Sequence, residues 1–180
     1  PIAILEGVFS ADELAAALSA QCYLVVHQPE QIALLQDYRG DLDTRVWLKI
    51  DSGMHRLGLS PQAAIDAYQQ LNALAVVKEI ILTSHFACAD DLQSAKTRQQ
   101  MAVFEQLSQV LPITLAKSIA NSAGILAWPE THYQWVRPGI MLYGSSPFAD
   151  KTASELNLQP VMTLSSRLIA IQQIKTGETV

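Results

Sequence analysis

Leu48 to Gly58 reads LKIDSGMHRLG, and it sets a lysine, an aspartate and an arginine at the end of an apolar run. Val46 to Ile50 is expected to be a strand whose one charge is Lys49. Asp51-Ser52-Gly53 should turn the chain, and Arg56 falls in the loop before the next helix. A charged side chain within a buried strand needs a compensating role, because desolvating it is costly. Charged groups collected where a strand ends are the pattern of barrel enzymes, which keep their chemistry at the C-terminal face.

Working outward, short apolar runs alternate with amphipathic helices, as in parallel βα units. Strands are expected at Ile2 to Leu5, Tyr23 to Val26, Val46 to Ile50, Glu79 to Ser84, Ile113 to Ala116 and Ile140 to Tyr143. Helices fill the gaps. Ser10 is placed to cap a helix over Ala11 to Ala20, with Glu13 completing a capping box, and Ser60 to cap one with Pro61 at its first position. A further helix is expected near Gln93 to Val110, where Ala95, Met101, Val103, Phe104, Leu107 and Val110 fit one face imperfectly.

The fold class expected is therefore α/β, a partial (β/α)8 TIM-type barrel comprising about strands 3 to 8, since a closed barrel takes eight units in about 250 residues. Residues 1–147 would form the barrel part and 148–159 a connector. In 160–180 the texture changes to alternation, and Val161 to Ile174 (VMTLSSRLIAIQQI) is expected to be the first strand of a C-terminal β domain. The chain opens at Pro1 directly into an apolar run and stops at Val180 after a turn, so a piece of a larger protein is expected.

With 49% hydrophobic and 16% charged residues, the 180-residue chain has the composition of a globular domain. Its net charge of −5 comes without a basic cluster, which argues against nucleic acid or an anionic membrane as partner. No apolar run is long enough to span a bilayer. Two cysteines, Cys22 and Cys88, make no disulfide framework, and a reducing, cytoplasmic setting is expected.

Four further runs follow in order: LTSHFACAD at Leu82 to Asp90, ANSAG at Ala120 to Gly124, HYQWVRPGIMLYG at His132 to Gly144, and SSP at Ser145 to Pro147. With Leu48 to Gly58, at spacings that fit successive βα units, this set resembles the alanine racemase family. Those enzymes use pyridoxal 5′-phosphate (PLP) to interconvert L- and D-alanine. The resemblance extends over essentially the whole chain and is most diagnostic from Val46 to Pro147.

Asn121 and Ser122 lie just past an expected strand and open an apolar helix, offering N–H groups and a hydroxyl to an anion, although an ordinary helix cap has the same pattern. The resemblance adds the Gly139 and Ile140 amides at the same phosphate. It also implies that Arg137 donates to the pyridine nitrogen of PLP. A guanidinium with a pKa above ~12 does not hand over its proton, so the ring would stay unprotonated, which favours racemisation over decarboxylation. By resemblance His85 lies against the cofactor, and Arg56 binds its phenolic oxygen and the substrate carboxylate.

Lys49 matches a lysine that many family members carry as a carbamate formed with CO₂. A carbamylated Lys49 would orient Arg56, and an unmodified one would pair with Asp51 or another carboxylate; sequence leaves both open. His55 reads as a solvated loop residue. Asp51, His85, Asp90 and Asp91 make a conceivable metal set, but no metal-ligand spacing supports it and no metal is expected.

The resemblance places the Schiff-base lysine in a K-A-N-A-Y-G-like segment that Lys78, Lys96, Lys117, Lys151 and Lys175 do not match, and the tyrosine base in the β domain of a neighbouring subunit. No catalytic base is therefore expected among these residues, and the piece alone is expected to be inactive. The implied parent is a bacterial homodimer acting on alanine and supplying D-alanine for peptidoglycan. The alternatives are another PLP-dependent racemase, for serine or of broad specificity, and a non-catalytic PLP-binding module.

Overall fold

A computed structural model of the chain describes residues 2–112 and 114–179. Five parallel strands, β1 (Ala3–Ile4), β2 (Tyr23–Val26), β3 (Thr44–Lys49), β4 (Val77–Thr83) and β5 (Ala116–Ser118), lie in the order β1-β2-β3-β4-β5. The helices are α1 (Ala11–Ser19), α2 (Pro29–Asp37), α3 (Pro61–Asn72), α4 (Lys96–Val110) and α5 (Ser122–Ala127). Each strand pairs with the next in sequence, and the order never reverses as it does in a doubly wound sheet. Single winding of this kind, with right-handed crossovers, lays the helices on one face and curls the sheet as in TIM-type domains.

Packing confirms the two-sided sheet. Leu24, Val26, Val46, Leu48, Ile80 and Leu82 join residues of the helices, such as Leu14, Leu35, Leu71 and Phe104, in the main core. The alternate strand positions Val25, Trp47 and Ile81 form a small separate cluster on the other face. The register aligns Trp47 with Ile81 and Ile81 with Ala116 in one row, and Lys49 with Thr83 and Thr83 with Ser118 in the row above. The apolar row stacks within the concave face. The polar row ends the strands and floors the site.

Local chemistry explains the helix starts. Ser10 accepts from the Glu13 amide, while Glu13 reaches back to the Phe9 amide, one residue beyond the usual capping-box partner. Ser60 accepts from the Ala63 amide, with Pro61 in the first turn. In α4 the buried face is Thr97, Gln100, Phe104 and Leu107, while Val110 is exposed. Thr97 and Gln100 share the buried face with Phe104 and Leu107, which accounts for the imperfect fit of the apolar positions.

Three expected strands differ. β5 is Ala116–Ser118 rather than Ile113 to Ala116, and Ile113 lies outside the described residues. Pairing with β4 from Ile81 to Thr83 sets that register, and Lys117 serves it by facing Glu105 and the Tyr133 ring. Ile140–Tyr143 is a 3-10 turn, not a strand. The Gly139 and Met141 amides bond to Ser122 Oγ, and Gly144 ends the turn at φ +78°, so the main chain pairs with no strand. A Cβ at Gly144 would lie 2.0 Å from the Gln159 carbonyl oxygen, so glycine is required there by space as well as by backbone.

Val161 to Ile174 forms no strand, and its side chains, Leu164 and Ile169 among them, are exposed. Alternation gives it an apolar face, but among the described residues no neighbour supplies a ladder. The segment before it packs back on the barrel side: Phe148 is buried in the main core and Leu156 lies against it.

Candidate active site

The chemically distinctive residues named above lie at or just past the C-terminal ends of strands, apart from Arg137, Gly139 and Ile140, which follow α5. The exit of β3 carries Asp51 to Arg56, that of β4 carries Ser84 and His85, and that of β5 leads to Asn121 and Ser122. Arg137 crosses back over the row Thr83–Ser118. Its Nη1 donates to Thr83 Oγ1 at 3.0 Å and to Ser118 Oγ, and its Nη2 donates to the Ser84 carbonyl and to His85 Nδ1 at 3.4 Å. A guanidinium has five N–H donors. Four are accounted for, and among the described residues none accepts from Nε.

Because a guanidinium has no lone pair to offer, His85 Nδ1 must be the acceptor, which places the ring proton on Nε2. Burial, reinforced by the positive charges of Arg137, Arg56 and Lys49, pushes His85 from its ordinary value of 6.5 down to about 4. It is a neutral imidazole at physiological pH. Burial likewise brings Arg137 down to about 10, still a cation at neutral pH.

Lys49, at the end of β3, has its pKa lowered by burial and then by Arg56 and Arg137, with Glu6 acting the other way. Among the described residues none of Lys49, Arg56 and Arg137 makes a salt bridge. Lys49 thus pairs neither with Asp51 nor with another carboxylate of the described residues, the partners expected of its unmodified form. Asp51 is engaged by its own loop instead, accepting from the Gly53 amide at 2.9 Å, the His55 amide at 3.0 Å and His55 Nδ1 at 2.8 Å. Burial pushes the Asp51 carboxyl up, but these hydrogen bonds outweigh it and hold the group below its ordinary value. His55, read as a bystander, is exposed yet shapes the turn, at a left-handed φ of +59°.

A cleft of about 440 Å³ opens beside these groups, lined by His85, Asn121, Ser122, Arg137, Gly139 and Ile140 together with Asp90, Ala123, Ser146 and Pro147. It gathers all the expected cofactor residues but Arg56, which is exposed on the neighbouring loop. Asn121 is spent as the cap of α5, accepting from the Gly124 amide at 3.0 Å. Ser122 Oγ accepts from Gly139 at 2.9 Å and Met141 at 3.3 Å, so its own proton remains to donate. The Gly139 amide, expected to reach a phosphate, is directed at Ser122. A second cleft of about 410 Å³ lies at the N-terminal strand ends near Arg45 and Lys78. Barrel chemistry belongs at the other face, and we take the His85 cleft as the site. Among the described residues no three His, Cys, Asp or Glu side chains are grouped to hold a metal ion, and no helix is long and apolar enough to cross a membrane.

The polar residues beneath the site were not legible as such. Thr83 lies inside the run Leu82 to Asp90 with no distinguishing pattern, and Ser118 and Gln100 fall outside every motif. The available signal was that Gln100 occupies the slot one helical turn before the buried Phe104.

The family model of the alanine racemase N-terminal domain matches residues 1–147. The chain belongs to the alanine racemase family. An alanine racemase of Photobacterium profundum is 46% identical over 183 residues, covering 100% of this chain and 50% of that protein. A catabolic alanine racemase of Pseudomonas putida is also 46% identical, over 180 residues with the same coverage. Among solved structures, the biosynthetic alanine racemase from Pseudomonas aeruginosa superposes with a TM-score of 0.90 at 43% identity, over 99% of this chain and 49% of that one. The E. faecalis enzyme gives 0.89 at 25% identity, over 100% of this chain and 50% of its own. The chain spans about half the length of the curated relatives it matches.

Proposed function

We propose that the protein carrying this chain is a PLP-dependent alanine racemase that interconverts L- and D-alanine, as a cytoplasmic homodimer supplying D-alanine for peptidoglycan. One observation carries the cofactor assignment: Arg137 lines the cleft, pinned through four hydrogen bonds with Nε–H left over, and among the described residues neither it nor the nearby Lys49 and Arg56 makes a salt bridge. Such a site is built for an anionic, aromatic ligand with a ring acceptor. PLP fits each requirement.

The phosphate would take the Ser122 hydroxyl and the Ile140 amide, with the Gly139 amide holding Ser122 Oγ in place. Arg137 would offer Nε–H to the pyridine nitrogen and, remaining a cation, would not protonate it. When bound, PLP supplies an electron-withdrawing ring that stabilises negative charge at the substrate Cα. His85, neutral and fixed in orientation, would cover one face of the ring without exchanging protons near pH 7. Arg56 would hold the substrate carboxylate. Lys49, with its lowered pKa, has more free amine to add to CO₂, releasing a proton and forming a carbamate that faces Arg56 and Arg137. Racemisation needs one base on each side of Cα; by family pattern these are a lysine and a tyrosine outside these residues.

In the same proposal β1 to β5 are consecutive staves of a (β/α)8 barrel, counted from its third. Residues 1–147 belong to that barrel, 148–159 connect, and 160–180 begin a β domain.

Incubation of the full-length protein with L-alanine should yield D-alanine. Stripping PLP should reduce the rate to background, and adding it back should restore it. Conversion insensitive to PLP, or none, would contradict the proposal, and faster turnover of serine would favour a racemase of other specificity.

A further inference from the structure

We propose that Gln100, in the middle of α4, is a positioning residue that sets both His85 and the Arg56 loop at the mouth of the cleft. It touches no expected ligand and is only 1% exposed. Its Oε1 accepts from the Ala87 amide at 2.9 Å. Its Nε2 donates to the His85 carbonyl at 2.9 Å and to Ser52 Oγ at 3.3 Å. Ser84 Oγ donates to the Ile50 carbonyl at 2.9 Å, so in the 2.7 Å contact between the two hydroxyls Ser52 is the donor.

The result is a directed chain from Gln100 through Ser52 and Ser84 to the Ile50 carbonyl, just past β3. Both amide hydrogens are used, and the amide orientation is fixed by its partners. Gln100 also bears on the turn itself: a Cβ at Gly53, which lies at φ +132°, would meet Gln100 Cγ at 3.3 Å. One buried side chain therefore joins the exits of β3 and β4, the loops that carry Arg56 and His85. A side chain that only filled space would not need every one of these bonds, and a buried amide with unmet partners is unfavourable. Fixing the His85 carbonyl fixes the ring that accepts from Arg137 through Nδ1.

This inference rests on the cleft being the PLP site, and the experiment separates the two. Gln100→Met keeps the unbranched shape and loses the hydrogen bonds. Gln100→Glu keeps the acceptor for the Ala87 amide and loses both donors. In the full-length protein we expect PLP affinity to weaken about tenfold or more in each, as misplaced positioning groups are costly. The ¹⁵N shifts of the His85 ring should leave the single Nε2–H tautomer in both variants. Exchange of the Ala87 amide should quicken with methionine and stay slow with glutamate.

Unchanged PLP affinity and unchanged His85 shifts in a variant that merely melts earlier would overturn the proposal and leave Gln100 as core filling. If the methionine variant does not fold, the glutamate variant reads the same signals. If the unaltered protein fails to bind PLP, the cofactor assignment falls, while the His85 shifts and Ala87 exchange still decide the role of Gln100.

Discussion

His85 shows how one residue's environment becomes a measurable property. Its folded pKa is about 4, against an ordinary value of 6.5, chiefly through burial. Between those values the unfolded chain binds a proton that the folded one refuses, so stability present above pH 6.5 is lost as pH falls toward 4, with no further loss from this group below that. The loss should come to about 2 kcal/mol after allowance for solvent screening at the cleft. Urea unfolding at pH 7 and pH 4.5 checks it: His85→Asn should lose less stability over that interval than the unaltered protein, and equal losses would mean that His85 is not held neutral. The sequence placed His85 at a strand end. It could not supply the tautomer, which depends on Arg137, 52 residues away in sequence, or the depressed pKa, which depends first on burial and then on the charges of Arg137, Arg56 and Lys49.

The loop from Asp51 to Gly58 is the element that delivers Arg56. Its form depends on one carboxylate that accepts from two amides and a ring nitrogen. Asp51→Ala should release the loop, cost about 1–2 kcal/mol of stability through the amides left without a partner, and raise KM for alanine more than it lowers kcat. Kinetics of the full-length enzyme with thermal melts would check this, and an unchanged KM would mean that the loop is held by other contacts. At this scale the sequence was legible where local chemistry decides, as with the Ser10 and Ser60 caps and the strand Tyr23–Val26. It failed where distant partners decide. Ile140–Tyr143 has strand-like composition, but the claim of Ser122 Oγ on two of the neighbouring amides bends it into a turn.

Across the whole molecule, the α/β class and parallel sheet follow from the alternation of apolar runs and amphipathic helices, and the unreversed strand order distinguishes a barrel-type winding from a doubly wound sheet. The helix-facing core holds that winding together. Phe104 is fully buried there, and Phe104→Ala should cost about 3–5 kcal/mol, seen as a lower urea midpoint with the slope unchanged. A loss under 1 kcal/mol would mean that α4 does not anchor the sheet. Apolar side chains exposed at Ile2 and Leu5 and along Val161 to Ile174 predict that the isolated 180-residue chain self-associates, and sedimentation of a compact monomer would refute that.

We propose that PLP occupies the cleft between His85, Ser122 and Arg137, and a crystal structure of the full-length protein with PLP would show it. The phosphate should lie within about 3 Å of Ser122 Oγ and the pyridine nitrogen within about 3 Å of Arg137 Nε. A cofactor bound elsewhere, or one whose ring nitrogen faces a carboxylate while Arg137 Nε points to solvent, would contradict it.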